Sequence, residues 1–283
     1  MKSINIPVLH QDQDIVVINK PAGLVVNRSE TVRGPTAQDW FEEWLKNNRG
    51  VRRKRVWQQQ VPEEFNDQYG TPEEVFERRL GLAHRLDKDT SGVLLLAKHP
   101  GSLVNLLTQF KQRQVQKKYW CLVHGQPQVE SAEINAPLNR SPFNRRQFRV
   151  DIDGKRAVTY YQVLKQFDQL DFDQLRSRIS RKRKIRRLEA QWNSYQQGFA
   201  LVECFPKTGR THQIRVHLRH IGHPLVADEI YGGSQRSKLD QIWCPRQFLH
   251  ARWIEFAHPR TGERVHAAAP LADELKAVLA LME

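Results

Sequence analysis

The chain has 283 residues, of which 39% are apolar and 27% charged, enough to bury a substantial core and near the upper size of one domain. Lys and Arg total 45 against 31 Asp and Glu, a formal net charge of +14, and such a surface draws polyanions. No apolar run approaches the roughly 18 residues of a membrane span. Residues 1–14 lack the apolar stretch of a secretory signal, and Cys121, Cys204 and Cys244 are too scattered for a disulfide framework or a zinc knuckle, so a cytoplasmic protein is expected.

Ile15–Ile18 reads as a strand stopped by the turn chemistry of Asn19-Lys20-Pro21-Ala22-Gly23, with Leu24–Val26 as a second strand. Residues 36–46 fit a helix with Trp40, Phe41 and Trp44 on one face. Residues 47–78 change character: a basic cluster, Arg52 to Arg55, precedes a polar stretch, and the segment reads as an insertion. Val93–Ala97 is apolar throughout, the pattern of a strand covered on both faces. A helix over 101–112 and a strand over 119–123 follow, then strands over 157–164 and 199–205. Between these last two lies 176–187, crowded with Arg and Lys. A helix over 211–221, strands over 249–256 and 264–268 and a helix over 271–282 close the chain. There is no internal repeat. Blocks of strands with occasional helices favour an α+β fold with a mixed, mostly antiparallel sheet. No glycine-rich dinucleotide or P-loop signature occurs, so no nucleotide cofactor is expected.

Three constellations carry chemistry. His84-Arg85-Leu86-Asp87-Lys88-Asp89-Thr90-Ser91-Gly92 places a carboxylate, Asp87, on a polar loop feeding the most apolar strand; its acids equally suit simple turn capping. In Thr208-Gly209-Arg210-Thr211-His212-Gln213-Ile214-Arg215-Val216-His217, Thr208 or Thr211 can cap the next helix, leaving Arg210 to reach a carboxylate or phosphate, or to form an ordinary ion pair. Lys117-Lys118-Tyr119-Trp120 presents an aromatic ring beside cations, suited to a nucleic-acid base or to a core. His212, His217, His220 and His223 crowd near Cys204, but their spacing completes no metal-ligand set, so no metal is expected.

Taken in order, these segments resemble the RluA-type pseudouridine synthases. His84–Gly92 reproduces that family's H-R-L-D-x-x-T-S-G hallmark. Asp14–Leu24 is similar to its opening strand and turn, Lys118-Tyr119 through Gly125 to its tyrosine strand, and Thr208–His217 to its second signature. Gly222-His223-Pro224, Asp228-x-x-Tyr231-Gly232, Leu249-His250-Ala251 and His258-Pro259 follow in the family's order.

The resemblance implies a pseudouridine synthase fold and a cofactor-free isomerisation of uridine in structured ribosomal or transfer RNA. It implies Asp87 as the catalytic aspartate, Tyr119 as the ring against the target base, and Arg210 as the aspartate's partner. Arg85 corresponds to the arginine that displaces the base, and His84, Lys118 and Ile214 are expected beside the substrate. The base has to leave its stack, at a cost of a few kcal/mol. A single catalytic domain over 1–283, without the S4 domain of many relatives, is expected, with insertions at 47–78 and 166–190, acting as a monomer. Arg52, Arg53, Arg181, Arg183, Arg186 and Arg187 in those insertions are candidates to grip the RNA backbone; solvated charge runs are the alternative.

Overall fold

A computed structural model describes residues 5–48, 57–66, 68, 70–179 and 182–282. The chain divides into two compact units, Met1–Lys117 with Ala251–Pro270, and Lys118–His250 with Leu271–Glu283.

The first unit begins with β1 (Val8–Gln11) and β2 (Ile15–Lys20), paired antiparallel. Then come α1 (Ala37–Asn47), α2 (Pro72–Arg79), β3 (Ser91–Ala97) and α3 (Pro100–Lys111). Helix α1 starts in a capping box, with Thr36 and Asp39 satisfying each other's backbone amides. Leu24–Val26, expected as a strand, forms none. Instead the carbonyls of Val25 and Val26 accept from the amides of Ala37 and Gln38, so the apolar triplet serves the orphan donors of α1. Helix α2 has its own Thr71–Glu74 capping box, with Pro72 in its first turn. All seven residues of β3 are buried, as a strand covered on both faces requires.

In the 47–78 segment, a 3-10 turn at Trp57–Gln60 docks on α3. Ser102 Oγ donates to Gln60 Oε1 at 3.0 Å, and Asn105 Nδ2 donates to the Gln60 carbonyl at 3.2 Å. Arg52 and Arg53 lie outside the described residues.

The second unit contains β4 (Gln116–His124), β5 (Ser131–Asn135), β6 (Leu138–Arg140), β7 (Phe148–Val150) and β8 (Val158–Phe167). After α4 (Phe172–Arg178) and α5 (Lys182–Glu189) come β9 (Phe199–Pro206), α6 (Gln213–His220) and α7 (Ser234–Asp240). Its strands run in the order β4-β9-β8-β5, all antiparallel, and β6 and β7 form a separate ribbon. The chain then returns through β10 (Leu249–Ala257) and β11 (Arg264–Ala268), antiparallel partners that complete the first unit's order β1-β2-β3-β10. Helix α8 (Asp273–Leu279) ends the second unit.

Helices α4 and α5 occupy the expected 166–190 insertion. Leu175 and Leu188 sink into the core beside Phe199, Trp243 and Leu275. Each such leucine contributes about 2 kcal/mol, more than the few tenths lost to each like-charge pair along α5. Burial therefore holds the segment folded while Arg183, Lys184, Arg186 and Arg187 stay exposed. Arg181 lies outside the described residues.

Candidate active site

In the first unit, β2 and β3 pair so that Lys20 stands opposite Gly92, which brings the turn after β2 beside the loop before β3. The Asp87 carbonyl accepts from Thr90 N at 3.1 Å, closing a four-residue turn. Leu86 is buried beneath it, Asp87 is half-buried and Arg85 is exposed. Lys20 is completely buried, and its ammonium donates to the carbonyls of Pro21 at 2.8 Å, Leu24 at 2.9 Å and Lys88 at 3.0 Å. A buried ammonium is costly unless its donors are satisfied. Three carbonyls satisfy it here, and in doing so they tie the two loops into one body.

Gly92 is needed where β3 meets β10. At φ +113°, a Cβ there would stand 2.2 Å from the Ala251 carbonyl oxygen.

His84 is placed by the same strand. Its Nε2 accepts from Leu95 N at 3.0 Å, so the neutral ring carries its proton on Nδ1. Burial above all, and then the Lys117 charge, push its pKa down to about 3. The His84 ring stacks on Phe110 at 5.0 Å, and the Lys117 ammonium lies 5.6 Å from the centre of the Phe110 ring. Burial lowers the Lys117 pKa to about 8. His84 is thereby a fixed neutral support of the Asp87 loop.

In the second unit, Tyr119 lies on β4 opposite Cys204 of β9, half-buried against a cluster that includes Ile214, Val123 and Leu218. Lys118 takes the alternate face of the strand. There it pairs with Glu203 at 3.6 Å and lies 5.4 Å from the centre of the Phe205 ring. Trp120, on that same face, donates to Glu203 Oε1 at 3.0 Å. The structure thus places Ile214 in the apolar cluster that the tyrosine packs against and Lys118 on the other face of the strand.

The Thr208–His217 signature is a closed hydrogen-bond circuit. Thr208 Oγ1 accepts from Val158 N at 2.9 Å and donates to Gln213 Oε1 at 2.7 Å. Gln213 Oε1 also accepts from Arg210 N at 3.0 Å, and Gln213 Nε2 donates to the Val158 carbonyl and to Thr159 Oγ1, both at 2.9 Å. His217 lies between Thr159 Oγ1 and the Ala136 carbonyl, each at 2.9 Å, and burial lowers its pKa.

Helix α6 starts at Gln213 rather than 211. His212 occupies its N-cap in the left-handed region, at φ 56°, so neither Thr208 nor Thr211 caps it. Arg210 is exposed at this entry, its Nε donating to the Arg156 carbonyl at 3.2 Å.

Two pairings among these signature residues were not readable from the sequence. Arg215 is buried and grips Asp228 with both prongs, Nε to Oδ2 at 2.7 Å and Nη2 to Oδ1 at 2.8 Å. Asp228 Oδ1 also accepts from the amides of Ile230 and Tyr231. The Tyr231 hydroxyl accepts from Phe148 N at 2.9 Å and meets His212 Nδ1 at 2.9 Å. An arginine on the apolar face of α6, followed by an aspartate in a turn, was the available signal.

Three of the four histidines near Cys204 have separate partners: His212 with Tyr231, His217 with Thr159 and Ala136, and His223 with the His124 carbonyl. Elsewhere, Asp12, Asp14 and His258 bring ligand atoms within 4.8 Å of one another. The buried Asp14 already pairs there with Arg260 at 2.8 Å and His99 at 2.9 Å. Burial is the largest single influence on Asp14 and raises its pKa, but hydrogen bonds from His99, Arg260 and Gln60 outweigh it and hold the carboxyl at about 2.

Residues 14–220 match the RNA pseudouridylate synthase family. An uncharacterized RNA pseudouridine synthase, YlyB, of Bacillus subtilis is 32% identical over 272 residues, covering 96% of this chain and 71% of the relative. Ribosomal large subunit pseudouridine synthase D of Nitrosomonas europaea is 32% identical over 281 residues, covering 98% of this chain and 65% of the relative. An uncharacterized RNA pseudouridine synthase of Chloroflexus aurantiacus is 38% identical over 203 residues, covering 72% of this chain and 54% of the relative. The chain thus spans between 54% and 71% of the length of these relatives.

Among solved structures, human RNA pseudouridylate synthase domain containing 4 superposes with a TM-score of 0.62 at 24% identity, covering 98% of this chain and 93% of that one. Human RNA pseudouridylate synthase domain containing 1 gives 0.61 at 22%, covering 94% and 83%. The fold is therefore the α+β pseudouridine synthase fold, with a mostly antiparallel central sheet and flanking helices. Among the described residues, no helix is long and apolar enough to cross a membrane. The signatures, the sheet and the relatives agree, and the chain belongs to the RluA-type RNA pseudouridine synthases, a family of isomerases.

Proposed function

We propose that this chain converts uridine to pseudouridine in structured ribosomal or transfer RNA, with Asp87 as the catalytic carboxylate, Tyr119 against the target base and Arg210 as the partner of the carboxylate. The observation that carries this reading is the Asp87 turn itself. A carboxylate in a loop tied down by Lys20 is held for a task that depends on position. The reaction breaks the bond between N1 and C1′, turns the uracil and joins C5 to C1′. The hydrogen of C5 is lost and N1 gains one, so the change is an isomerisation without net redox. Arg85, exposed two residues before Asp87, serves to displace the target base from its stack. Ile214, in the apolar cluster that Tyr119 packs against, is assigned to lie near the uracil, and His84 supports the loop from within.

Exposed Arg183, Arg186 and Arg187 on α5 supply backbone contacts that offset the cost of flipping the base. The burial of Leu188 on the same helix, and of Leu175 on α4, favours this over a solvated charge run.

Pseudouridine mapping in total RNA, from cells with and without the protein, tests the reading and identifies the target. One or a few uridines remain unconverted in cells that lack it. Asp87→Asn lowers conversion on the order of 10³-fold or more while RNA affinity stays near that of the wild type. Identical maps with and without the protein reject the function, and an active Asp87→Asn variant rejects the assignment of the carboxylate.

A further inference from the structure

A cleft of about 510 Å³ opens beside the Asp87 loop, within the first unit, between the turn after β2 and the loop that leads into α1. Its lining includes Gly23, Val25, Thr31, Arg33, Gly34 and Lys88. Among the described residues, no acidic side chain and no aromatic ring line it. Arg33 and Lys88 are both exposed, and neither forms an ion pair among the described residues. A Cβ built on Gly23 or Gly34 would meet nothing within 4 Å, so the main chain at both positions is open to close approach.

We infer that this cleft is a subsite for the phosphodiester of a nucleotide flanking the target uridine. The inference rests on the reading of Asp87 as the catalytic carboxylate. Two exposed cations line one space whose described lining holds no carboxylate, and such a space suits an anion. The absence of a ring excludes the stacking that holds an unstacked base, so the ligand chemistry is phosphate and sugar rather than base. The volume lies within the range of small-ligand pockets and accommodates one nucleotide unit.

Position makes the ligand part of the same RNA strand. Lys88 follows Asp87 directly, and the Lys20 ammonium bonds both to the Lys88 carbonyl and to the carbonyls of Pro21 and Leu24 in the opposite wall. The wall of the cleft and the catalytic loop therefore keep a fixed spacing. A phosphate seated against Lys88 and Arg33 sets the register of the strand, so that its neighbouring nucleotide is the one presented to Asp87.

The test measures initial rates of pseudouridine formation at sub-saturating total RNA from cells lacking the protein, at salt from about 50 to about 200 mM. Arg33→Ala with Lys88→Ala lowers kcat/KM about tenfold, and the salt dependence becomes shallower by roughly one to two in logarithmic slope. Arg33→Lys with Lys88→Arg keeps both near the wild type. Thr31→Trp, at an exposed lining position, fills the cleft with every charge in place and also lowers kcat/KM. If the double alanine variant keeps the wild-type rate and slope, the subsite is refuted. It is equally refuted if the alanines weaken the enzyme and Thr31→Trp does not, because the charges then act at long range. A wild-type enzyme that converts no uridine overturns the functional reading and this inference together, whereas an active wild type beside an unaffected double variant overturns the subsite alone.

Discussion

Lys20 Nζ donates to the Lys88 carbonyl at 3.0 Å across 68 residues of chain, and this bond fixes where the Asp87 turn stands. Lys20→Met keeps the length of the side chain and removes the ammonium. The carbonyls of Pro21, Leu24 and Lys88 then lose a donor in a buried place, at a cost of roughly 2–4 kcal/mol. Denaturant unfolding should show that loss. A fall in kcat beyond the loss of folded protein should accompany it, since the loop loosens around Asp87. Unchanged stability would mean that the three bonds are dispensable.

Gly92 and Gly23 both have positive φ, but only Gly92 is crowded. Gly92→Ala would press a methyl onto the Ala251 carbonyl and should cost roughly 2–4 kcal/mol. Gly23→Ala, with nothing within 4 Å, should cost only the backbone strain of about 1–2 kcal/mol. Thermal melts of the two variants side by side check the ordering.

Asp228 accepts from both prongs of Arg215 and from two amides, all in the second unit. Asp228→Ala leaves a buried guanidinium uncompensated and should destabilise the protein by about 3–5 kcal/mol. Arg215→Met with Asp228→Leu should recover part of that loss, because no charge is then stranded. A double variant no better than Asp228→Ala would assign the loss to the amides instead.

His84 gives the protein an acid sensitivity of known sign. Its ring titrates near 6.5 when free and near 3 in the folded chain. Between those values the unfolded chain holds a proton that the folded one does not, so stability is complete above about pH 6.5 and declines as the pH falls toward 3. His84→Gln removes this contribution. The stability difference between the two proteins should therefore shrink by on the order of 1–2 kcal/mol from about pH 7 to about pH 5. Guanidinium titrations at the two pH values measure it, and parallel curves would contradict the neutral ring.

Arg183, Arg186 and Arg187 lie on a folded, exposed helix surface. Replacing all three by Ala should flatten the logarithmic salt dependence of RNA binding by about two to three and weaken binding at low salt by tenfold or more. The unfolding midpoint should barely move, because Leu188 stays in place. An unaltered slope would assign the helix to another role.

The apolar runs made much of this architecture readable. Val93–Ala97 announced a strand covered on both faces, and Trp40, Phe41 and Trp44 announced a helix face. The strand expected at Leu24–Val26 failed because local apolarity does not reveal that its carbonyls are claimed by the first turn of α1. The helix expected from 211 begins two residues later because His212 adopts a left-handed conformation, which the threonines nearby disguise. Asp87, Tyr119 and Arg210 were legible as residue types in ordered signatures. Lys20 was not, since a lysine at a strand end is ordinarily a surface group and only the fold reveals the three carbonyls around it. The sequence left a solvated charge run open as the alternative at the second insertion because its two apolar anchors, Leu175 and Leu188, are outnumbered by cations.

The Asp171 amide donates to the Leu281 carbonyl at 2.8 Å, Leu170 bridges Met282, and Arg178 Nη1 donates to the Ala277 carbonyl at 3.0 Å, 99 residues ahead. During synthesis, which proceeds from the N-terminus, α4 leaves the ribosome long before the segment that forms its floor exists. The bonds that tie Leu170, Asp171 and Arg178 to residues 277–282 therefore form only once that last stretch has been translated, although Leu175 and Leu188 can meet Phe199 and Trp243 earlier.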